Sequence, residues 1–424
     1  MKIKNNICLL IMGILFLFAG APVNAQNQSQ EDLLREVRKL KEKTRQLEEE
    51  VKKLQEEKGE DDDMESGDNV QVDGLVGFIQ GLRLSGSIEL ETFYEHTKPE
   101  KGLSDKTSDI DLSTVELVVD VKIDKRFSSR FVFDYEEGRS VTVDDALIHF
   151  QATDICEPDL RLDSNWYASA GKMDIPFGYY ESHLLSDPLT QDLGEAKEMA
   201  FVLGMYYEPF NIAVSAFNGE MDEFDSSDHI ASYVATARFA FEVFDDFEFK
   251  TGASYISNIA DSDELTIFLT DYLTPETHEV DAEREADEAD SDQTVSEGNE
   301  EAVEFNGLKR YLPGIGSFCS ISYKERIIVM FEYVGAQKRL AEDRRFKPEA
   351  WNLEVAFVPV EDIEVALGYG ETKAALDFLP KKQVGITGVY DISDHVSIGL
   401  EGLRKEMRNK DKVTLTTAQL AVSF

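Results

Sequence analysis

The sequence predicts an all-β protein, a transmembrane barrel of sixteen antiparallel strands preceded by an N-terminal coiled-coil helix. Three observations lead there. The chain opens with an export signal, it holds no apolar run long enough to cross a bilayer as a helix, and beyond residue 80 it alternates apolar with polar or small residues in segments of about ten. A chain that enters lipid without apolar helices must satisfy every backbone N–H and C=O between strands, and only a closed barrel does so.

Residues 1–25 form the signal: basic Lys2 and Lys4, an apolar run from Ile7 to Ala19, and the small-residue end Val23-Asn24-Ala25. Cys8 stands at the start of the apolar run rather than after it, which argues against lipoprotein processing. Residues 26–58 carry Leu33, Val37, Leu40, Thr44, Leu47, Val51 and Leu54 at alternating steps of four and three, the a/d seam of a coiled coil. Glu36 with Lys41 and Lys43 with Glu48 stand in the g-to-e relation that attracts parallel copies of one helix, so Leu33, Val37, Leu40, Leu47, Val51 and Leu54 are the expected oligomerisation residues. Valine at a with leucine at d favours two strands. Residues 59–80 begin with the acidic, aperiodic Gly59–Asp68 and make a solvated linker into the barrel, which occupies 81–424.

Within the barrel, Val115, Leu117, Val119, Val121 and Ile123 share one face, as do Ala235, Ala237, Phe239, Phe241 and Val243, and Ile363, Val365, Leu367 and Tyr369. Glu116, Asp120, Lys122, Arg238, Glu242, Glu364 and Gly368 fall on the other, which puts charge and water inside. Strands are expected near 82–94, 110–123, 127–136, 141–152, 164–173, 196–207, 210–217, 230–243, 247–256, 305–323, 326–336, 349–358, 361–371, 382–391, 395–404 and 413–424. Short joins alternate with long ones, as short periplasmic turns alternate with long outer loops in bacterial barrels. The join Thr153–Asp163 alone breaks that alternation. The last strand places Thr414, Thr416, Ala418, Leu420, Val422 and Phe424 on one face and ends on an aromatic, like the terminal strands of outer-membrane proteins.

Forty-three basic against eighty-four acidic residues give a net charge of -41. Nucleic acid is excluded as a partner, because phosphate binding needs a basic face. Past the signal the cysteines are Cys156 and Cys319, without metal-ligand spacing; one disulfide and two separate thiols both remain open. The six histidines show no H-E-x-x-H and there is no G-x-S-x-G elbow, so no enzyme, metal or cofactor is expected. The acidic run Asp281–Glu304 is too charged to pack and reads as a disordered outer loop.

The segment from Ala170 to Glu195 forms the third outer loop by strand count, broken from its strand by Pro176 and Gly178. Lys172, Asp174, Pro176, Phe177, Gly178, Glu181, His183, Asp187, Asp192 and Glu195 are its candidate constriction residues, mixing both charge signs as a field across a pore requires. Lys122, Arg130, Arg238 and Lys250 fall on inner faces by parity and form a candidate basic strip opposite. GKMDIPFG followed by ESHLLSDPLTQDLGEAKE resembles the corresponding segment of LbtU-type siderophore porins, ESHLLSDPLT being the discriminating part. The likeness runs from signal to terminal aromatic and departs in the acidic outer loop. It implies passive or facilitated uptake of an iron-siderophore complex, or a similar small hydrophilic solute, by an unplugged barrel in the bacterial outer membrane. The implied partners are that solute, outer-membrane lipid and lipopolysaccharide, and further copies of the chain, as a homotrimer by the resemblance or a dimer by the heptad residues. A general or ion-selective diffusion porin and a structural envelope tether are the alternatives.

Overall fold

The computed structural model describes residues 81–152, 165–221, 230–244, 246–274 and 308–424. The signal, the heptad positions, the linker, the join Thr153–Asp163 with Cys156, and Asp281–Glu304 lie outside the described residues.

Sixteen strands are present among the described residues. They are β1 (Leu82–Lys98), β2 (Asp105–Lys122), β3 (Phe127–Tyr135), β4 (Thr142–Gln151), β5 (Asn165–Asp174), β6 (Lys197–Tyr207), β7 (Phe210–Phe217) and β8 (Ser232–Phe244). They continue as β9 (Phe247–Ile256), β10 (Gly314–Tyr323), β11 (Ile327–Ala336), β12 (Glu349–Val360), β13 (Ile363–Lys373), β14 (Lys382–Ser393), β15 (Val396–Glu406) and β16 (Lys412–Ser423). Each pairs antiparallel with the next, and β1 pairs with β16 from Ser87↔Ser423 to Lys98↔Lys412, closing the barrel. The final residue is part of the seam: Phe424 N–H donates to the Gly86 carbonyl at 3.0 Å and Gly86 N–H donates back at 3.1 Å. Only glycine fits at 86, since a Cβ would lie 2.3 Å from the Glu116 carbonyl oxygen.

Alternation along the strands sorts the side chains. Met199 (65% exposed) and Phe201 (54%) face outward on β6 with Ala200 and Val202 buried between and beyond them; Leu400 (59%) does the same on β15 beside buried Glu401. An apolar band of this extent is stable against lipid, and closure leaves no strand edge to satisfy. The short turns between strands include Lys324-Glu325, both with positive φ as in a type I′ hairpin.

The expected strand 305–323 begins later, at Gly314. Pro313 has no N–H for the ladder, and the chain before it tucks inward: Leu308 and Leu312 are buried, and Ile259 N–H donates to the Leu312 carbonyl at 2.7 Å. The long connection after β9 also holds structure that alternation could not show, a 3-10 turn at Ile259–Asp261 and a helix at Asp263–Leu273. With the short helix α1 (Leu189–Gly194), this α2 (Asp263–Leu273) packs in the loop-rich half of the barrel. Phe177, Leu189, Leu193, Ile259, Leu265, Leu269, Leu312, Leu340 and Phe346 form one buried apolar cluster there. Burying such side chains contributes roughly 1.5–3 kcal/mol each. Barrel closure and this cluster together fix the third loop.

Candidate functional site

The loop between β5 and β6 leaves and returns through one neck. Ile175 N–H donates to the Ala196 carbonyl at 2.8 Å, and the Lys197 ammonium pairs with Asp144, with Asp174 at 3.3 Å and with Asp145 at 4.0 Å. Beyond the neck, Pro176 and Gly178 turn the chain into the barrel. Gly178 has φ 74°. A Cβ on it would lie 2.2 Å from the Tyr180 ring, and a Cβ on Gly194 would lie 2.3 Å from the Tyr180 hydroxyl. The tyrosine thus occupies space that two glycines leave empty, and its burial pushes its phenol pKa up.

From Gly178 onward the loop is fastened to the inner face of β8–β15. Gly178 N–H donates to Ser254 Oγ at 3.0 Å, its carbonyl accepts from Arg238 Nη2 at 3.0 Å, and the Tyr179 ring stacks on Phe318 at 3.9 Å. Glu332 on β11, 7% exposed, accepts from Tyr179 N–H at 2.7 Å and from the Thr190 hydroxyl at 2.8 Å. Glu354 on β12 accepts from the Ser182 hydroxyl at 3.0 Å and His183 N–H at 2.9 Å. Glu364 on β13 takes the His183 ring at Nδ1, 2.7 Å away. Glu401 on β15 accepts from Leu185 N–H at 2.7 Å and the Thr387 hydroxyl at 2.6 Å. Charge-assisted bonds of this kind are about twice as strong as neutral ones. They also satisfy backbone donors that an irregular buried loop would otherwise leave without partners.

Between the carboxylates lie glycine sockets. Leu184 fills the space beside Gly368 and Gly385, Leu185 that beside Gly399, and Leu189 that beside Gly370. On its far side the loop meets α2: Ser262 Oγ donates to the Leu193 carbonyl at 2.9 Å, and Asp263 N–H to the Glu195 carbonyl at 3.0 Å.

The residues singled out in the sequence therefore separate. Asp174 holds the neck, Pro176, Phe177 and Gly178 make the turn, and His183 reaches the wall. Asp187, Asp192 and Glu195 follow within the loop, and burial raises the pKa of all three, that of Asp192 to about 7. The Glu364 hydrogen bond raises that of His183. Glu181 is exposed. Lys172 does not join the loop: it stays on β5 in register with outward Met199 and donates from Nζ to the Val143 carbonyl at 2.9 Å. Nor do the four inner cations form a continuous strip. Arg238 is bound to the loop backbone, Lys250 pairs with Glu248 at 3.2 Å, Arg130 stands opposite Asp120, and Lys122 lies opposite Ser128. The anchors Glu332, Glu354 and Glu401, and the sockets Gly370, Gly385 and Gly399, were missed. Their signal was an acid or glycine on the inner face of successive strands, and that pattern is shared with residues that line water.

No protein-family model matches the chain. In sequence it is 25% identical over 250 residues to a UPF0422 protein of Coxiella burnetii (strain RSA 493 / Nine Mile phase I), a match covering 56% of this chain and 46% of that protein. The chain thus spans less than half the length of this curated relative. In structure it is similar to Pseudomonas putida OprB, with a TM-score of 0.55 and 8% identity over 84% of this chain and 96% of that one. Salmonella typhi OmpF gives 0.50 and 9% over 82% and 99%, and an anion-selective porin from Comamonas acidovorans gives 0.50 and 10% over 81% and 99%. At such identities the likeness is one of fold, and the fold is that of an outer-membrane porin.

Proposed function

We propose that this chain is a diffusion channel of the bacterial outer membrane whose bore is set by residues 175–196, folded against one wall. The observation that carries the reading is the row of carboxylates Glu332, Glu354, Glu364 and Glu401, which hold an irregular loop inside a closed sixteen-stranded barrel. A barrel of that size leaves an aqueous bore unless something fills it. Planar-bilayer recording of the full-length protein tests the channel: discrete open steps are expected, and well-folded protein that never conducts would favour a tether.

The finer reading is uptake of an iron-siderophore complex down its gradient. It is supported by the resemblance over GKMDIPFG and ESHLLSDPLTQDLGEAKE, and by the fact that its discriminating half, Glu181–Thr190, supplies most of the wall contacts. Liposome swelling with a ferric chelate and with sugars of equal size separates cargo from general diffusion; equal rates remove the chelate. Removal of residues 1–25 on export, homotrimers or dimers joined through residues 26–58, and contact with lipid and lipopolysaccharide complete the proposal. Export is tested by N-terminal sequencing, and assembly by cross-linking with and without the heptad segment.

A further inference from the structure

The bore's other wall, β1–β3 and β16, is what a solute meets across from the loop. Its inner face is acidic at mid-height. Glu89 and Glu91 both accept from Gln419 Nε2, at 3.1 and 2.9 Å, so both lie on the lumen side, opposite in facing to exposed Leu90 and its partner Leu420. Glu116 shares that side: its neighbour in parity is buried Val118, which pairs with buried Val132. Glu116 stands directly across the ladder from Asp134. Glu91 likewise stands directly across from Asp111, and directly opposed like charges destabilise a sheet. Arg83 and Arg130 are both register partners of Asp120 on this wall, and Arg130 and Lys197 each offset part of the charge at Glu116, which leaves the acids in excess. Further round the barrel, Lys197 is held by three aspartates, Arg238 by the loop carbonyl and Lys250 by Glu248.

Loop and wall are therefore of like sign. Glu181 is exposed on the loop, and across from it stand Glu89, Glu91, Glu116 and Asp134. We infer that the channel selects cations, and that Glu89, Glu91 and Glu116 on the wall facing the loop set this preference. The inference rests on the channel reading and names the solute class it admits: inorganic and small organic cations, including cationic chelates. Among the described residues no three acids converge to hold a metal ion, so the wall acts as a field rather than a chelating site. Low-dielectric walls focus such a field and enrich counter-ions by tenfold or more, roughly.

Reversal potentials in a KCl gradient test this. The expected cation-to-anion permeability ratio is roughly ten, and it should fall toward one in channels carrying Glu89→Gln, Glu91→Gln and Glu116→Gln together. A wild-type ratio at or below one, or an unchanged ratio in conducting triple-variant channels, overturns the inference and leaves the channel standing. Should the triple variant not assemble, the wild-type ratio must still drop as salt rises, because the screening length shrinks from about 10 Å at 0.1 M to about 3 Å at 1 M; a salt-independent ratio overturns it equally. Folded protein without any conductance removes the channel reading and this inference with it.

Discussion

Leu184 occupies the space a side chain on Gly368 would need: a Cβ built there meets Leu184 Cδ1 at 2.5 Å, and one on Gly385 meets the same atom at 3.0 Å. The contact atom is the free end of a leucine, so a methyl group at 368 can be absorbed by a rotamer change. A bulky ring cannot. Gly368→Ala is expected to leave single-channel conductance close to wild type, whereas Gly368→Phe lifts residues 182–186 from the wall and changes it. Equal conductance in both variants would show that the sockets do not position the loop.

Glu332 is the busiest anchor, holding two strands of the loop at once through Tyr179 and Thr190. Removing a buried acceptor leaves its donors unsatisfied at about 1–3 kcal/mol each. Glu332→Ala should therefore lower the midpoint of thermal unfolding and raise current noise through repeated loop release. Glu332→Gln keeps one acceptor oxygen but turns an N–H toward a donor, so it should fall between wild type and Glu332→Ala. Noise as low in Glu332→Ala as in wild type would detach the loop from this residue.

Loop docking should depend on pH in one direction. His183 has its pKa raised above 6.5 by the Glu364 hydrogen bond, so its contribution is complete below 6.5 and lost as pH climbs through the higher folded value. Burial raises Asp192 from 3.8 to about 7, so its contribution is likewise complete at low pH and lost as pH rises through about 7. Both shifts therefore favour the docked loop at lower pH, that of Asp192 falling away from 3.8 up through about 7 and that of His183 from 6.5 upward. Current noise should grow on going from mildly acidic to mildly alkaline buffer, and His183→Gln with Asp192→Asn should flatten the response. Noise that grows toward acid instead would contradict both assignments.

The strands were legible because lipid outside and water inside enforce a period of two, and all sixteen appear within a few residues of their expected places except the start of β10. The loop interior was not legible for the same reason. An inner glutamate reads identically whether it faces another acid across the ladder, as Glu116 does, or accepts from a backbone N–H, as Glu354 does. The apolar cluster breaks the rule that inner faces are wet, since Val334, Ala350 and Ile256 point inward to meet leucines delivered by loops far away in sequence. Helix α2 was hidden by acids on both sides, its two buried leucines, Leu265 and Leu269, being a weak periodic signal alone.

That cluster is held shut by a polar latch beneath α2, and the latch gives a last test. Asp261, 1% exposed, accepts from the Ser232 hydroxyl at 2.6 Å, the Asn258 amide at 2.9 Å and Met221 N–H at 3.1 Å. A Cβ on Gly219 would fall 2.3 Å from its carboxyl carbon, so the carboxylate sits in a slot with no room to relax. Asp261→Ala leaves these donors unpaired, at about 1–3 kcal/mol each, yet touches no strand-to-strand backbone bond of the barrel. The damage should therefore be local: α2 and residues 257–262 should exchange amide hydrogens faster and become accessible to protease, while the β-sheet circular dichroism signal persists. If exchange in α2 is unchanged, the apolar cluster alone keeps the cover closed and the latch is dispensable. If the sheet signal is lost as well, the cover and the barrel fold as one unit, and the loop docked on the inner face cannot be released without unfolding the wall behind it.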